Sequence, residues 1–451
     1  MSTGPVDRAL SRVTRAGAHA ADVVLLDVDS REVRVRGDEI DFVKQAREKS
    51  LSIRAFVKAP DGLSSAITST SDLSDSAVDR MAEETVALAR ATEPDPHAGL
   101  PDGGFASDVP DLALLDPADR SVALDVRIED ARRAEAAARA SDPRIVNSEG
   151  SEASSSFASV ELGNTAGFRG FYESAHHGLY SAPIARENGS GSMQTDHWMT
   201  SARSLGDLEA PEAVGREAAR RALRRLGSRQ VDTTEVPIVF EPPTARSLIG
   251  HVAAAVGGGA IYRKASFLAE RLGEPIASPL LTLVDEGRRP RGLGSRPFDG
   301  EGLPTRENVV VENGTLRNFL IDTYAGRKLG LPATGSASRG AGGGPSPGPT
   351  NFWMAPGQSS LEAIVADTER GLLVTWLFGH GFNPVTGDFS RGAAGIWIEN
   401  GTLTHPVDEV TIAGNLGEML EGIDAVADDL LWLGSIAAPS FRVARMTVAG
   451  R

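Results

Sequence analysis

Residues 311–316 read Val311-Glu312-Asn313-Gly314-Thr315-Leu316, and residues 398–403 read Ile398-Glu399-Asn400-Gly401-Thr402-Leu403. In each copy Asn-Gly separates two apolar runs. This is the strongest short hairpin signal, because a two-residue type I′ turn needs positive φ at both central positions. Two such hairpins in one glycine-rich stretch, from about residue 235 onward, predict an antiparallel, barrel-like body.

Outward from that stretch, the N-terminal half alternates helical and strand patterns. A helix is expected over 6–16, ended by Gly17, which tolerates the left-handed conformation found just past helix termini. Strand composition follows at 23–26, 33–35 and 51–57. A second helix is expected over 76–91, capped by Ser74 or Asp75, with Val78, Met81, Ala82, Thr85, Val86 and Ala89 on one face. Residues 93–119 are rich in Pro, Gly and Asp without periodicity and read as a linker. Then come a helix over 122–140, strand-like segments from 145 to 199 and a helix over 211–226 begun by Pro211. The fold class expected is α+β: N-terminal α/β layers followed by a C-terminal antiparallel β-rich, barrel-like domain. The divisions expected are a unit at 1–92, the linker at 93–119, a second α/β unit at 120–230 and the β-rich domain at 231–451. The Gly/Pro/Ser segment 339–349 reads as a mobile loop.

Composition narrows the function. A net charge of −15 over 451 residues argues against nucleic-acid binding, which needs a basic face. The absence of cysteine excludes disulfides, thiolate metal sites and cysteine nucleophiles. Neither a signal-peptide core nor an apolar run of about 18 residues is present, so a cytoplasmic protein that does not enter membranes is expected.

Local motifs leave the chemistry open. None of the eight histidines forms HExxH. His176 and His177 are adjacent, and on a strand they would face opposite ways. Gly257-Gly258-Gly259 precedes Ile261-Tyr262-Arg263-Lys264 without the spacing of a phosphate loop. Gly344-Pro345-Ser346-Pro347-Gly348 matches G-x-S-x-G, but flanking prolines do not allow the strand-to-helix turn of a nucleophile elbow. Asp299 and Glu301 could flank a site, although acids in a loop are more often simply solvated.

Longer blocks carry a resemblance. Gly250-His251 with the run 257–268, Pro297-Phe298-Asp299-Gly300-Glu301-Gly302 with Thr305, Arg327-Lys328-Leu329-Gly330, the run 386–395 and Val410-Thr411-Ile412-Ala413-Gly414-Asn415-Leu416 follow one another in the order of the TldD/TldE (PmbA) peptidase family. Asn147-Ser148-Glu149-Gly150 and Val214-Gly215 extend the likeness toward the N-terminus. The chain resembles the TldE/PmbA-type subunit. The TldD-type subunit carries HExxxH and a distant cysteine that hold zinc, with the glutamate activating a bound water.

With His251 laid on the second histidine of that pattern, Arg246 falls on the first and Ser247 on the glutamate. The neighbourhood of the cysteine falls on Leu433-Gly434-Ser435. A guanidinium offers no lone pair to a metal and a serine hydroxyl is a poor base near neutral pH. The resemblance therefore implies a subunit with no metal or cofactor of its own and no catalytic residues. Zinc is expected in a TldD-type partner, forming a heterodimer that degrades or processes unfolded, extended peptides; alone, this chain could homodimerise. The family's description as a modulator of DNA gyrase would then be an indirect effect of peptide turnover. Residues expected to line the shared peptide cavity are His251, Tyr262, Arg263, Lys264, Asp299, Glu301, Asp388 and Arg391. Two other readings stay open: a stand-alone enzyme of another kind on this fold, either a metal-independent hydrolase or an amide-forming enzyme, and a non-enzymatic peptide-binding scaffold.

Overall fold

The computed structural model describes residues 4–189 and 191–451. Helix α1 (Pro5–Arg15) leads into three antiparallel strands, β1 (Ala20–Arg36), β2 (Glu39–Ala59) and β3 (Gly62–Thr70), and then α2 (Asp75–Arg90). A largely irregular segment follows. Next come α3 (Leu124–Ala140), β4 (Ile145–Asn164), β5 (Arg169–Arg186), β6 (Met193–Thr195), β7 (Trp198–Ala202) and α4 (Pro211–Leu223).

These two stretches, read from sequence as separate units, share one sheet of order β3-β2-β1-β4-β5-β6, with β7 also paired to β5. The join is β1 against β4, antiparallel from Asp22↔Asn164 to Val35↔Ser151. Each of these long strands would otherwise leave a row of N–H and C=O groups exposed at an edge. Helices α1 and α2 bury Val6, Leu10, Val78 and Met81 against one end of the sheet. Helices α3 and α4 bury Ala131, Ala134 and Val214 farther along it. Gly215 allows that packing, since a Cβ there would stand 2.1 Å from the Ala134 carbonyl oxygen. His177 is fully buried with Nδ1 2.9 Å from Ser155 Oγ, while its neighbour His176 is exposed on the other face.

The C-terminal part runs through β8 (Thr234–Phe240), α5 (Pro242–Ala255), α6 (Gly258–Tyr262), β9 (Leu283–Glu286), β10 (Glu307–Glu312), β11 (Thr315–Leu316), α7 (Thr323–Leu329), β12 (Ala337–Ser338), β13 (Ser346–Pro347) and β14 (Phe352–Met354). It ends with α8 (Leu361–Ala366), β15 (Arg370–Phe378), β16 (Asp388–Glu399), β17 (Thr402–Asn415), α9 (Leu416–Glu421), β18 (Ile423–Val426), β19 (Leu431–Trp432), β20 (Ile436–Ala438) and β21 (Phe441–Ala449). Strands β17-β16-β15-β8-β21 form a five-stranded barrel, closed by β17 pairing with β21. A second sheet, β11-β10-β9-β14-β20-β19, curves beside it as a half-barrel. The expected α+β architecture with a barrel-like C-terminal domain is what the chain adopts.

Both Asn-Gly turns are type I′ in sign: φ is 46° and 79° at Asn313 and Gly314, and 49° and 71° at Asn400 and Gly401. They close Glu312↔Thr315 and Glu399↔Thr402, one hairpin in each C-terminal sheet. Gly401 is required twice over, because a Cβ there would also lie 2.4 Å from the Ala366 carbonyl oxygen. Ser346 is exposed in the two-residue strand β13, paired with Ser338, so the G-x-S-x-G match makes no nucleophile elbow.

A buried ion cluster joins the two halves. Asp22 on β1 accepts from Arg54 of β2 and from Arg339, which follows β12, and Arg54 also approaches Glu301 at 3.6 Å. Tyr324 adds a hydrogen bond to Asp95 at 2.6 Å.

Candidate functional site

Helix α5 starts with Pro242 and Pro243, whose missing N–H groups cost nothing in a first turn. Leu248, Ile249, Val252 and Ala253 face the core. Arg246, Ser247 and Gly250, one and four residues on from Arg246, occupy another face and line a cavity of about 570 Å³. Across it stand Leu433, Gly434 and Ser435, in the turn between β19 and β20. His197 and Trp198 at the start of β7, Trp376 and Leu377 on β15, and Arg391 on β16 complete much of the wall.

The positions matched to the first zinc histidine, the glutamate and the cysteine neighbourhood therefore meet in space. Arg391 Nη1 donates to Ser247 Oγ at 2.8 Å. Gly434 is so near Arg246 that a Cβ there would stand 3.3 Å from Nη1. Burial draws the pKa of both Arg246 and Arg391 below the ordinary guanidinium value. Arg221, also in the wall, is different: it pairs with Glu241 at 2.8 Å and with Asp196 at 3.4 Å. His197 is held toward the neutral form, mainly by burial, and packs edge-on to Trp376.

These residues do not fit a zinc ion. Two guanidiniums supply no lone pair and repel a cation, and the facing serines are weak neutral donors. His251 does not compensate. Helix α5 is a regular α-helix, so residues five apart diverge by about 140° around its axis. His251 instead stacks on Phe382, with ring centroids 4.3 Å apart, and Nε2 is buried without a hydrogen bond among the described residues. Burial, then the charge of Arg391, lowers its pKa.

The other residues expected along a shared cavity lie at separate places. Tyr262 and Arg263 line a second cavity, of about 800 Å³, between the N-terminal sheet and the segment 344–349. Lys264, at φ 54°, is exposed and paired with Glu270 at 2.8 Å. Asp299 is buried and accepts from the backbone N–H groups of Glu301, Leu303 and Ala337. Glu301 is buried and accepts from the Thr323 N–H at 2.8 Å. Both hold turns in place. Asp388 is exposed and hydrogen-bonded to Thr386. Of the eight, Arg391 alone lines the cavity at α5. His197 and Trp376 belong to no motif block; what marks Trp376 in the sequence is the apolar run Trp376, Leu377 and Phe378 at the end of a strand leading out of the core.

Three family descriptions match the chain: PmbA/TldA metallopeptidase domain 1 over 21–89, the central domain over 117–226 and the C-terminal domain over 233–450. Metalloprotease PmbA of Escherichia coli O157:H7 is 38% identical over 433 residues, 96% of this chain and 92% of that protein. The crystal structure of a candidate modulator of DNA gyrase from Bacteroides thetaiotaomicron superposes with a TM-score of 0.90 at 29% identity, covering 99% of this chain and 98% of that one. TldE from Thermococcus kodakarensis gives a TM-score of 0.88, with 99% and 100% coverage, and at 23% identity the likeness is one of fold.

Proposed function

The chain belongs to the PmbA/TldD family of metallopeptidase-like proteins, and from that premise we propose that it is the metal-free subunit of a two-subunit zinc peptidase. In this reading it works in the cytoplasm with a TldD-type chain that supplies zinc and the activated water. It supports that partner's active site and lines the space that receives extended peptides. The observation that carries the reading is the cavity at α5, which brings together Arg246, Ser247 and the turn Leu433-Gly434-Ser435, the residues laid on the first histidine, the glutamate and the cysteine neighbourhood of the zinc pattern. A site with neither a metal-binding donor set nor a base has little means of activating water against an amide.

Within the complex, this chain's residues would bind and orient rather than move protons. Strand edges of the C-terminal sheets could pair with peptide N–H and C=O groups whatever the side chains, giving affinity with little sequence preference. Assay of this chain, a TldD-type chain and the mixture on an unstructured peptide tests the proposal. Chelator-sensitive cleavage is expected from the mixture, and far less than one zinc per chain from this subunit alone after dialysis. Equal cleavage by this chain by itself, or a full zinc equivalent retained against mild chelation, would refute it.

A further inference from the structure

The cavity at α5 has properties that the loss of a metal does not account for. Its volume, about 570 Å³, is in the range of small-ligand sites. Two guanidiniums reach into it without a carboxylate partner among the described residues. Arg391 donates to the Ser247 hydroxyl, and its Nε is buried with no acceptor among the described residues. Arg246 has no hydrogen-bond or ion-pair partner among the described residues, and only burial acts on its charge. The chain carries 61 acidic residues against 46 basic ones. Acids close both paired arginines nearby, Arg221 and Arg224, through Glu241. Leaving two half-buried guanidiniums open is costly unless an anion completes them.

The walls define what kind of anion. Trp198, Trp376, Leu377, Leu433 and Ile436 present apolar surface beside the charges. A phosphate would need its several strongly hydrated oxygens satisfied, and most other donors of the wall are already engaged: Trp198 Nε1 with Glu209, Thr244 and Thr375 with backbone carbonyls, and Arg221 with Glu241. A carboxylate carries one charge and two oxygens, which the planar fork of a guanidinium matches. The apolar walls then suit an apolar group attached beside it. We propose that this cavity binds the free C-terminal carboxylate of a short peptide ending in an apolar residue, with Arg246 and Arg391 on the carboxylate and Trp198 and Trp376 against the last side chain. The inference rests on the peptide-handling reading above. It adds a terminus anchor to backbone pairing, so this chain would hold a peptide by its end.

Calorimetry on the isolated full-length chain tests it, with N-acetyl-Ala-Phe as the free acid, the same dipeptide as its C-terminal amide, and inorganic phosphate. The acid should bind at least about tenfold more tightly than the amide, which loses the charge-assisted hydrogen bonds, and than phosphate, which has no apolar group for the walls and more oxygens to desolvate. Arg246→Gln and Arg391→Gln should each weaken the acid by about tenfold and leave the amide unchanged, with melting curves checking the fold. If either variant unfolds, the acid–amide comparison on the unmodified chain still decides. Equal binding of acid and amide, binding of none of the probes, or phosphate binding as tightly as the acid would each overturn the proposal. So would Gln variants that fold and bind the acid normally. No partner subunit is present in this experiment, so failure of the two-subunit reading would show in the cleavage assay and not here.

Discussion

Removing the Asp22 carboxylate should cost the fold more than any surface acid does. Asp22 is 2% exposed and meets Arg54 Nη2 and Arg339 Nη1, each at 2.5 Å. Burial acts to raise its pKa, yet the two guanidiniums outweigh burial and hold it below the ordinary carboxylate value. Asp22→Ala would leave both arginines buried, Arg54 with Glu301 at 3.6 Å and the more distant charge of Asp322 in place of a direct carboxylate partner. Breaking a buried pair from one side costs about 3–5 kcal/mol, most of it the uncompensated charge left behind. Asp27, five residues along the same strand, is the control. It pairs with Arg47 and Lys49, whose side chains are 64% and 42% exposed, and Asp27→Ala should cost about 0–1 kcal/mol. Urea unfolding followed by circular dichroism at neutral pH, in low and high salt, compares the two. The Asp22 effect should persist in high salt, since buried pairs are poorly screened. It should fade as pH falls through the lowered pKa of Asp22, because protonation removes the same charge in the native protein. Equal costs for the two variants would refute the claim that this cluster locks the N-terminal sheet to the C-terminal half.

Two further outcomes follow from the same geometry. Burial, then the neighbouring Glu301, pushes the Asp299 pKa up to about 7, so the folded chain holds a proton that the unfolded chain releases near the ordinary value of 3.8. Stability from this group therefore declines as pH rises from about 4 to about 7, by up to about 1.4 kcal/mol per pH unit, and Asp299→Asn should flatten that slope in pH-dependent urea titrations. His251→Phe should change stability by less than about 1 kcal/mol and leave assembly with the proposed TldD-type partner intact, because the ring packs on Phe382 and, among the described residues, its buried Nε2 has no bond to lose. A large loss of cleavage by the assembled pair, with the fold intact, would show that the imidazole does more than pack.

Local chemistry wrote much of this protein into its sequence. The Asn-Gly pairs at 313–314 and 400–401 fixed two hairpins, since few residues accept positive φ at both turn positions. An apolar face recurring every 3.6 positions located α2, and an alanine- and arginine-rich composition located α3, each to within about two residues. Arg246, Ser247 and the lack of cysteine were legible as departures from a zinc pattern. What tertiary structure decided lies in long-range pairing. That β1 pairs with β4, merging two stretches into one sheet, depends on which strand edges meet, and composition does not encode that. The barrel closes only where β17 finds β21. The α5 cavity likewise needs Arg391 beside Ser247, 144 residues apart in the chain, with a turn at 433–435 laid against both. The eight residues chosen from motif blocks scattered for the same reason. Several of them, Asp299 and Glu301 above all, sit in those blocks because buried turns need acceptors for their N–H groups, and sequence shows the residue without showing which way it faces.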